Sequence, residues 1–360
     1  MPYGQVETLL TIQAENLGAV VDPTVEAATI DIERLSTDVK RATRVFVCDS
    51  KPPTLQLLGQ LAEPMASTEG LAIIVSEGAK TDAHLQKLKE KISRVGRPAE
   101  SGGEETQYET SLLSPGSKMF IGTAEPDPLF GLWDSRVSAC LDWIGNARRA
   151  ATLAAREYEP SPFEKTESYK AVEEMAKRFP EASFVDVVPR GGKIRSVLQD
   201  APFDAVRNGF LTASLSQARA SVVGAGGAGY DDTLSGSLRS AWSSVGSAKS
   251  GGDLLIVGEC ADGLGSKALE MVASGRIDPA RKAPTGYVEG IEEVAYLEQL
   301  KSEYEVMLLS GLPELYAKSR IGFRTARGSE EALAKLLSKL GRNAKLNVIT
   351  RSSESRVSGS

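Results

Sequence analysis

Glu259 and Asp262 lie close together in a loop broken by glycine, Gly258-Glu259-Cys260-Ala261-Asp262-Gly263-Leu264-Gly265. Carboxylates at that spacing could hold a metal ion or orient a hydroxyl group. Equally, Asp262 could accept loop N–H groups and complement the dipole of a helix that opens at Ser266. A second set of candidates is basic. Asp49, Lys51 and Lys80 fall on loops that follow two different apolar runs. Two lysines converging at one edge of a sheet would attract an anion, whereas lone surface lysines need no ligand.

Gly224, Gly226 and Gly229 spell G-x-G-x-x-G between a short apolar run, Ala220 to Val223, and a helical pattern. That is the setting of a dinucleotide-binding turn. Two features count against it. The apolar run is short, and the acid that would take the ribose, Glu259, comes later than the usual ~20 residues. Glycines in a tight strand-to-helix turn also need no ligand. The single histidine, His84, sits in a charged helical stretch and reads as an exposed side chain. With one imidazole in the chain, any mechanism that needs two histidines is excluded.

Positioning these groups requires an α/β scaffold. Extended runs are expected at 5–12, 42–48, 71–75 and 118–122, with Pro52 and Pro53 opening a helix that runs to about Ala62. Helices are expected over 83–92, 138–156 (carrying Trp143) and 167–178, with a glycine-rich polar loop at 97–110. Pro189-Arg190-Gly191-Gly192 joins 184–188 to 193–198 as a hairpin, and 204–215 reads as helix. Beyond Gln217 a second unit begins. It has strands at 220–223, 253–257, 305–309 and 345–350. Its helices lie along the Leu234, Leu238, Ala241, Trp242, Val245 stripe and at 266–274, 291–301, 312–318 and 329–340. Strands alternating with helices indicate largely parallel sheets covered by helices. The reading divides the chain into an α/β domain at 1–216, a second at 217–350 and a polar, frayed tail at 351–360. Ligands in such sheets sit at the carboxyl ends of the strands, where Glu259 and Asp262 fall.

The 360 residues suffice for two cores, and 41% hydrophobic with 25% charged residues is ordinary for a globular protein. A net charge of −6 argues against nucleic-acid binding. No apolar run approaches the ~18 residues of a membrane helix, and the start lacks the basic and apolar regions of a signal peptide. The three cysteines, Cys48, Cys140 and Cys260, are far apart. They read as reduced thiols of a cytoplasmic protein, not as a zinc site. The oligomeric state is left open.

The stretches GGAGYDDTLSGSLRSAW (226–242) and SGGDLLIVGECADGLGSKAL (250–269) closely resemble the carboxyl-terminal domain of the nickel-pincer lactate racemase family. There a Gly-Gly-x-Pro-x-Asp loop begins a helix, and a strand ends in Glu-Cys-x-Asp-Gly-x-Gly. Pro2-Tyr3-Gly4, EPDPLFGLWDSR (125–136) and SPFEKTESYKAVEEMAK (161–177) extend the resemblance along the chain. It implies two α/β domains around a cleft. In the family that cleft holds a lysine-tethered nickel pincer nucleotide, which accepts hydride from a 2-hydroxy acid.

Position by position, the resemblance also implies that this apparatus is altered. The family's Asp-x-Thr-Arg-Pro-Thr loop is here Asp49-Ser50-Lys51-Pro52-Pro53-Thr54, so Pro52 stands at the substrate arginine. Lys80 stands at one catalytic histidine and Asp127 at the histidine of the Glu-Pro-His segment. Val206 stands at the nickel-ligating histidine, and a valine cannot bind a metal. The tethering lysine falls near Arg190 or Lys193, Gly226 and Gly227 fall in the cofactor loop, and Gly236 and Arg239 take the places of a substrate-holding Gln and Lys. The resulting expectation is a basic cleft for a small organic anion, with Lys80 and Asp127 as catalytic candidates and Asp49, Lys51, Arg239, Glu259 and Asp262 toward substrate. The nickel pincer nucleotide implied by the family is disfavoured. A racemase with a rearranged site and a non-catalytic ligand- or partner-binding homologue remain the alternatives.

Overall fold

A computed structural model describes residues 12, 16–23, 30–76, 88–95, 111–140, 164–179, 181–278, 288–341 and 343–359. In chain order, β1 (Leu17–Val21) is followed by α1 (Ile32–Arg41), whose first turn is closed by Asp31 accepting the Arg34 N–H. The apolar run Arg44–Val47 forms β2, and α2 (Pro52–Ser67) follows it. Pro52 and Pro53 fit its first turn because N–H groups there would have no helical partner. Leu57, Leu58 and Leu61 are fully buried along α2, each contributing about 2 kcal/mol. Then come β3 (Ala72–Ser76), β4 (Ile92–Val95), β5 (Lys118–Thr123) and a small antiparallel hairpin, β6 (Glu125–Asp127) with β7 (Gly131–Trp133). Helices α3 (Ser135–Ala139) and α4 (Glu167–Ala176) precede the hairpin β8 (Ala182–Arg190) and β9 (Lys193–Gln199), after which α5 (Phe203–Asn208) ends at Gly209. Gly191 and Gly192 turn that hairpin with φ of 61° and 75°, the left-handed pair a two-residue turn requires. The six strands order as β4-β3-β2-β5-β8-β9, parallel except for β9.

The second sheet orders as β1-β15-β11-β12-β13-β14 and is parallel throughout. Its strands beyond β10 (Leu211–Leu215) are β11 (Ala218–Gly224), β12 (Ala248–Val257), β13 (Glu305–Leu309), β14 (Arg324–Thr325) and β15 (Leu346–Ile349). Four helices accompany them: α6 (Leu234–Trp242), α7 (Lys267–Ala273), α8 (Ile291–Glu303) and α9 (Ser329–Leu340). Thr233 and Ser266 cap α6 and α7 through their hydroxyls. The inner strands β11, β12 and β13 bury apolar side chains on both faces, Val223, Ile256 and Leu308 in one cluster and Val222, Leu255 and Met307 in another, as a sheet covered on both sides demands. One large core runs from Phe46, Phe120 and Phe184 in the first sheet to Leu254 and Ile256 in the second and Trp242 of α6.

Four expectations change. The helix expected over 204–215 stops at Asn208. Leu211–Leu215 forms β10, parallel to β16 (Ser355–Gly359), because Gly209 ends the helix and the pairing partner lies at the far end of the chain. The same pairing overturns the frayed tail: Ser352, Ser353, Glu354 and Ser355 are wholly buried, and β16 is a strand. Of the helix expected over 83–92, only 88–92 is described; it is a turn leading into β4, where Ile92 pairs with Ile73. The helix expected over 312–318 is a π-helix at Leu315–Ile321. The expected elements at 5–11, 97–110 and 141–156, with Lys80, His84 and Trp143, lie outside the described residues.

Candidate functional site

The loops after β2 and β11 meet edge to edge, and the backbone dictates how. Gly229 adopts a φ of +82°, and a Cβ there would sit 3.1 Å from Pro52 and 3.2 Å from the Lys51 side chain. Asp49 braces the other side of this contact. Its Oδ1 accepts the Lys51 N–H at 2.9 Å and its Oδ2 the Thr123 N–H at 2.6 Å. Burial pushes the Asp49 carboxyl up; Lys51 and those N–H donors oppose it. Asp49 therefore organises the loop that presents Lys51.

Lys51 Nζ lies 2.7 Å from Glu125 Oε2 and 5.3 Å from the centroid of the Tyr230 ring. Glu125 is held in β6, and its other oxygen faces Arg239 of α6, whose Nη1 is 3.4 Å away. The Arg239 guanidinium also lies 3.8 Å from Glu293 of α8 and 5.6 Å from the Trp133 ring. Burial disfavours its charge, but Glu125, Glu293 and Asp127 outweigh burial and raise its pKa. Ser235 Oγ donates to Glu293 and fixes its position. Asp127 turns its Oδ1 onto the N–H groups of Leu129 and Phe130, both at 2.9 Å, and so closes the β6–β7 turn.

Lys51 and Arg239, expected together, do converge. They converge on a protein carboxylate, in a cluster where three acids (Glu125, Asp127, Glu293) face two cations. The basic character expected of the cleft is thus internally compensated. Glu125, Glu293 and Tyr230 were missed in the sequence. Glu125 and Tyr230 lay inside quoted motifs but carried no spacing signal, and Glu293 is one acid among several on α8.

The remaining candidates sit in two neighbouring places. Gly226 adopts a φ of +142°, and a Cβ there would lie 2.1 Å from Ser353 Oγ. Its carbonyl accepts Arg351 Nη1 at 2.8 Å, while Ser352 Oγ donates to the Gly224 carbonyl at 2.9 Å. The Gly227 carbonyl accepts the Tyr230 and Asp231 N–H groups. The crevice between β11 and β15, where the strand order reverses and where such sheets bind ligands, is therefore occupied by residues 351–353 of the chain itself. Gly224 and Gly226 of G-x-G-x-x-G serve that approach, and Gly229 the contact with the Lys51 loop. Arg190 donates to the Gly209 carbonyl, Gly192 N–H donates to Glu354 Oε1 at 2.9 Å, and Lys193 is exposed.

Glu259 and Asp262 lie on the loop after β12, laced to the loop after β11: the Cys260 and Asp262 N–H groups donate to the Asp231 and Asp232 carbonyls, both at 2.7 Å. Asp262 is exposed. Glu259 instead joins Asp231 and Asp232, one oxygen of each lying within 4.8 Å of the others.

Among solved structures, the lactate racemase apoprotein from Thermoanaerobacterium thermosaccharolyticum matches 99% of this chain and 98% of its own, with a TM-score of 0.69 and 16% identity. The fold is lactate racemase-like. A Thermotoga maritima protein matches more distantly, over 93% of this chain and 100% of its own, with a TM-score of 0.52 and 10% identity. No family model matches the sequence, nor does any curated protein.

Among the described residues, the position that the resemblance gives to the nickel-ligating histidine does not fit a nickel pincer group. Val206, at the position of the metal-ligating histidine, is fully buried on α5 in the main core and offers no donor atom. No imidazole is found among the described residues.

Proposed function

We propose that this lactate racemase-like chain binds a small organic anion, a 2-hydroxy acid or a phosphate compound, at the Lys51–Arg239 junction without nickel-dependent hydride transfer. The carrying observation is the convergence of two cations, one on the loop after β2 and one on helix α6, on the single carboxylate Glu125. Lys51 has three N–H donors and Arg239 five, and one oxygen each of Glu125 uses only part of that capacity. Both side chains keep a solvent-facing edge, at 14% and 23% exposure. A ligand carboxylate or phosphate could bind the outward N–H groups while Glu125 keeps the inward ones. The compensating acids weaken the attraction and disfavour highly charged anions.

Calorimetric titration with L-lactate, D-lactate and inorganic phosphate tests this, alongside intact mass and nickel analysis of the protein from its native host. Saturable binding that is lost in Lys51→Met and Arg239→Met, by an unmodified, nickel-free chain that does not interconvert the lactate enantiomers, supports the reading. An added nucleotide mass with about one nickel per chain would overturn it and restore racemase chemistry. Absence of binding by every anion would leave a partner-binding homologue in its place.

A further inference from the structure

The acidic cluster on the adjoining loops is a second, separate feature. Asp231, Asp232 and Glu259 bring one oxygen each within 4.8 Å of one another. Asp231 is only 8% exposed, and its Oδ1 is buried without a hydrogen-bond donor. Several other buried carboxylates have a cation beside them: Glu125 has Lys51, Asp134 and Asp186 have Arg136, Asp253 has Arg324 and Lys339, Glu293 has Arg239 and Glu354 has Arg351. Asp231 and Glu259 have no such ion pair among the described residues. A buried oxygen with neither donor nor cation is costly, and it lies in this cluster at the carboxyl edge of β11 and β12, where the sheet presents ligands.

We propose that Asp231, Asp232 and Glu259 bind a hard divalent cation of the Mg²⁺, Mn²⁺ or Ca²⁺ class. The donors are all oxygens, which suits hard ions over zinc or copper. The nearby sulfur of Cys260 points to Ser237 Oγ at 3.4 Å. The loops also hold the donors in place: Gly229 N–H fixes Asp232 Oδ1 at 3.0 Å. This site is independent of the anion junction and stands or falls separately.

Mn²⁺ binding to the full chain, followed by the loss of the free-ion electron paramagnetic resonance signal, tests it. One Mn²⁺ per chain is expected, displaced by Mg²⁺ or Ca²⁺, with at least a tenfold loss of affinity in Asp231→Asn and in Glu259→Gln. Glu270→Gln, an exposed acid of α7 outside the cluster, should bind as wild type. Added Ca²⁺ or Mg²⁺ should raise the melting temperature of wild type but not of Glu259→Gln, which decides the matter if Asp231→Asn fails to fold. No saturable binding up to about 10 mM, weaker than even extracellular calcium modules, overturns the proposal. So does a Glu270→Gln loss equal to that of Glu259→Gln.

Discussion

Lys51, on the loop after β2, and Glu125, in β6, form a 2.7 Å ion pair, with side chains only 14% and 8% exposed. A pair so withdrawn from water is held by geometry as much as by charge, and removing one partner strands the other. The two members are not equivalent. Glu125 retains Arg239 if Lys51 is lost, whereas loss of Glu125 takes away the carboxylate in contact with Lys51 and leaves it, among the described residues, the Tyr230 ring and the electrostatic pull of Asp49. Glu125→Gln should therefore lower unfolding free energy by about 3 kcal/mol, and Lys51→Met by visibly less. Urea denaturation of both variants checks this; equal losses, or none, would remove the asymmetry.

Gly226 tests whether the G-x-G-x-x-G turn is shaped for the chain's own terminus. A methyl group there collides with Ser353 Oγ at 2.1 Å and forces a side chain into a φ of +142°. Gly226→Ala should destabilise by more than about 2 kcal/mol. Adding Ser353→Ala should restore part of the loss, because it removes the clash and leaves the backbone strain. Thermal denaturation of the single and double variants gives the coupling. If Ser353→Ala restores nothing, the approach of the two segments does not govern this glycine.

A second buried network sets a pH dependence. Asp186 is wholly buried in β8, with Ser135 N–H and Oγ on its Oδ1 and Arg136 Nη1 3.5 Å from its Oδ2. Burial, and then the neighbouring Asp134, push its carboxyl up to about 7, against the pull of Arg136. The folded state thus holds a proton that the unfolded chain releases near pH 4. Between those values the unfolded state binds fewer protons, so stability falls as pH rises from about 4 to 7 and then levels. Asp186→Asn, which cannot ionise, should flatten that slope. Urea midpoints measured across this range decide it, and an identical slope in the variant would place the titration elsewhere.

The buried strands were legible because parallel sheets covered on both faces demand unbroken apolar runs, as at Arg44–Val47, Ala72–Ser76 and Glu305–Leu309. The Gly191-Gly192 hairpin was legible through its turn chemistry. Leu211–Leu215 was not, since its half-buried alternation acquires meaning only beside Ser355–Gly359. For the same reason a serine-rich terminus looked frayed: Ser352 and Ser353 are small enough to pack against Gly224 and Gly226, a relation invisible to periodicity. In the site, the convergence of Lys51 and Arg239 could be anticipated from the resemblance. That a glutamate would lie between them could not, because neutralisation depends on which loops touch.

The thiols give a last check on the packing around the candidate metal loop. Cys260 is 2% exposed, and burial pushes its thiol up to about 11, against the hydrogen bond with Ser237. Cys140 is buried beneath α4, with its sulfur 3.7 Å from the Val172 carbonyl, while Cys48 is partly exposed. The thiolate is the reactive form, so native protein at pH 8 should react with an aromatic disulfide reagent at Cys48 first. Cys140 and Cys260 should react only on the timescale of opening or unfolding, and all three should react promptly in denaturant. Peptide mapping after a short pulse identifies the site. Rapid labelling of Cys260 in the native state would mean that the loops carrying Asp231 and Glu259 open freely, contrary to the tight backbone lacing between them.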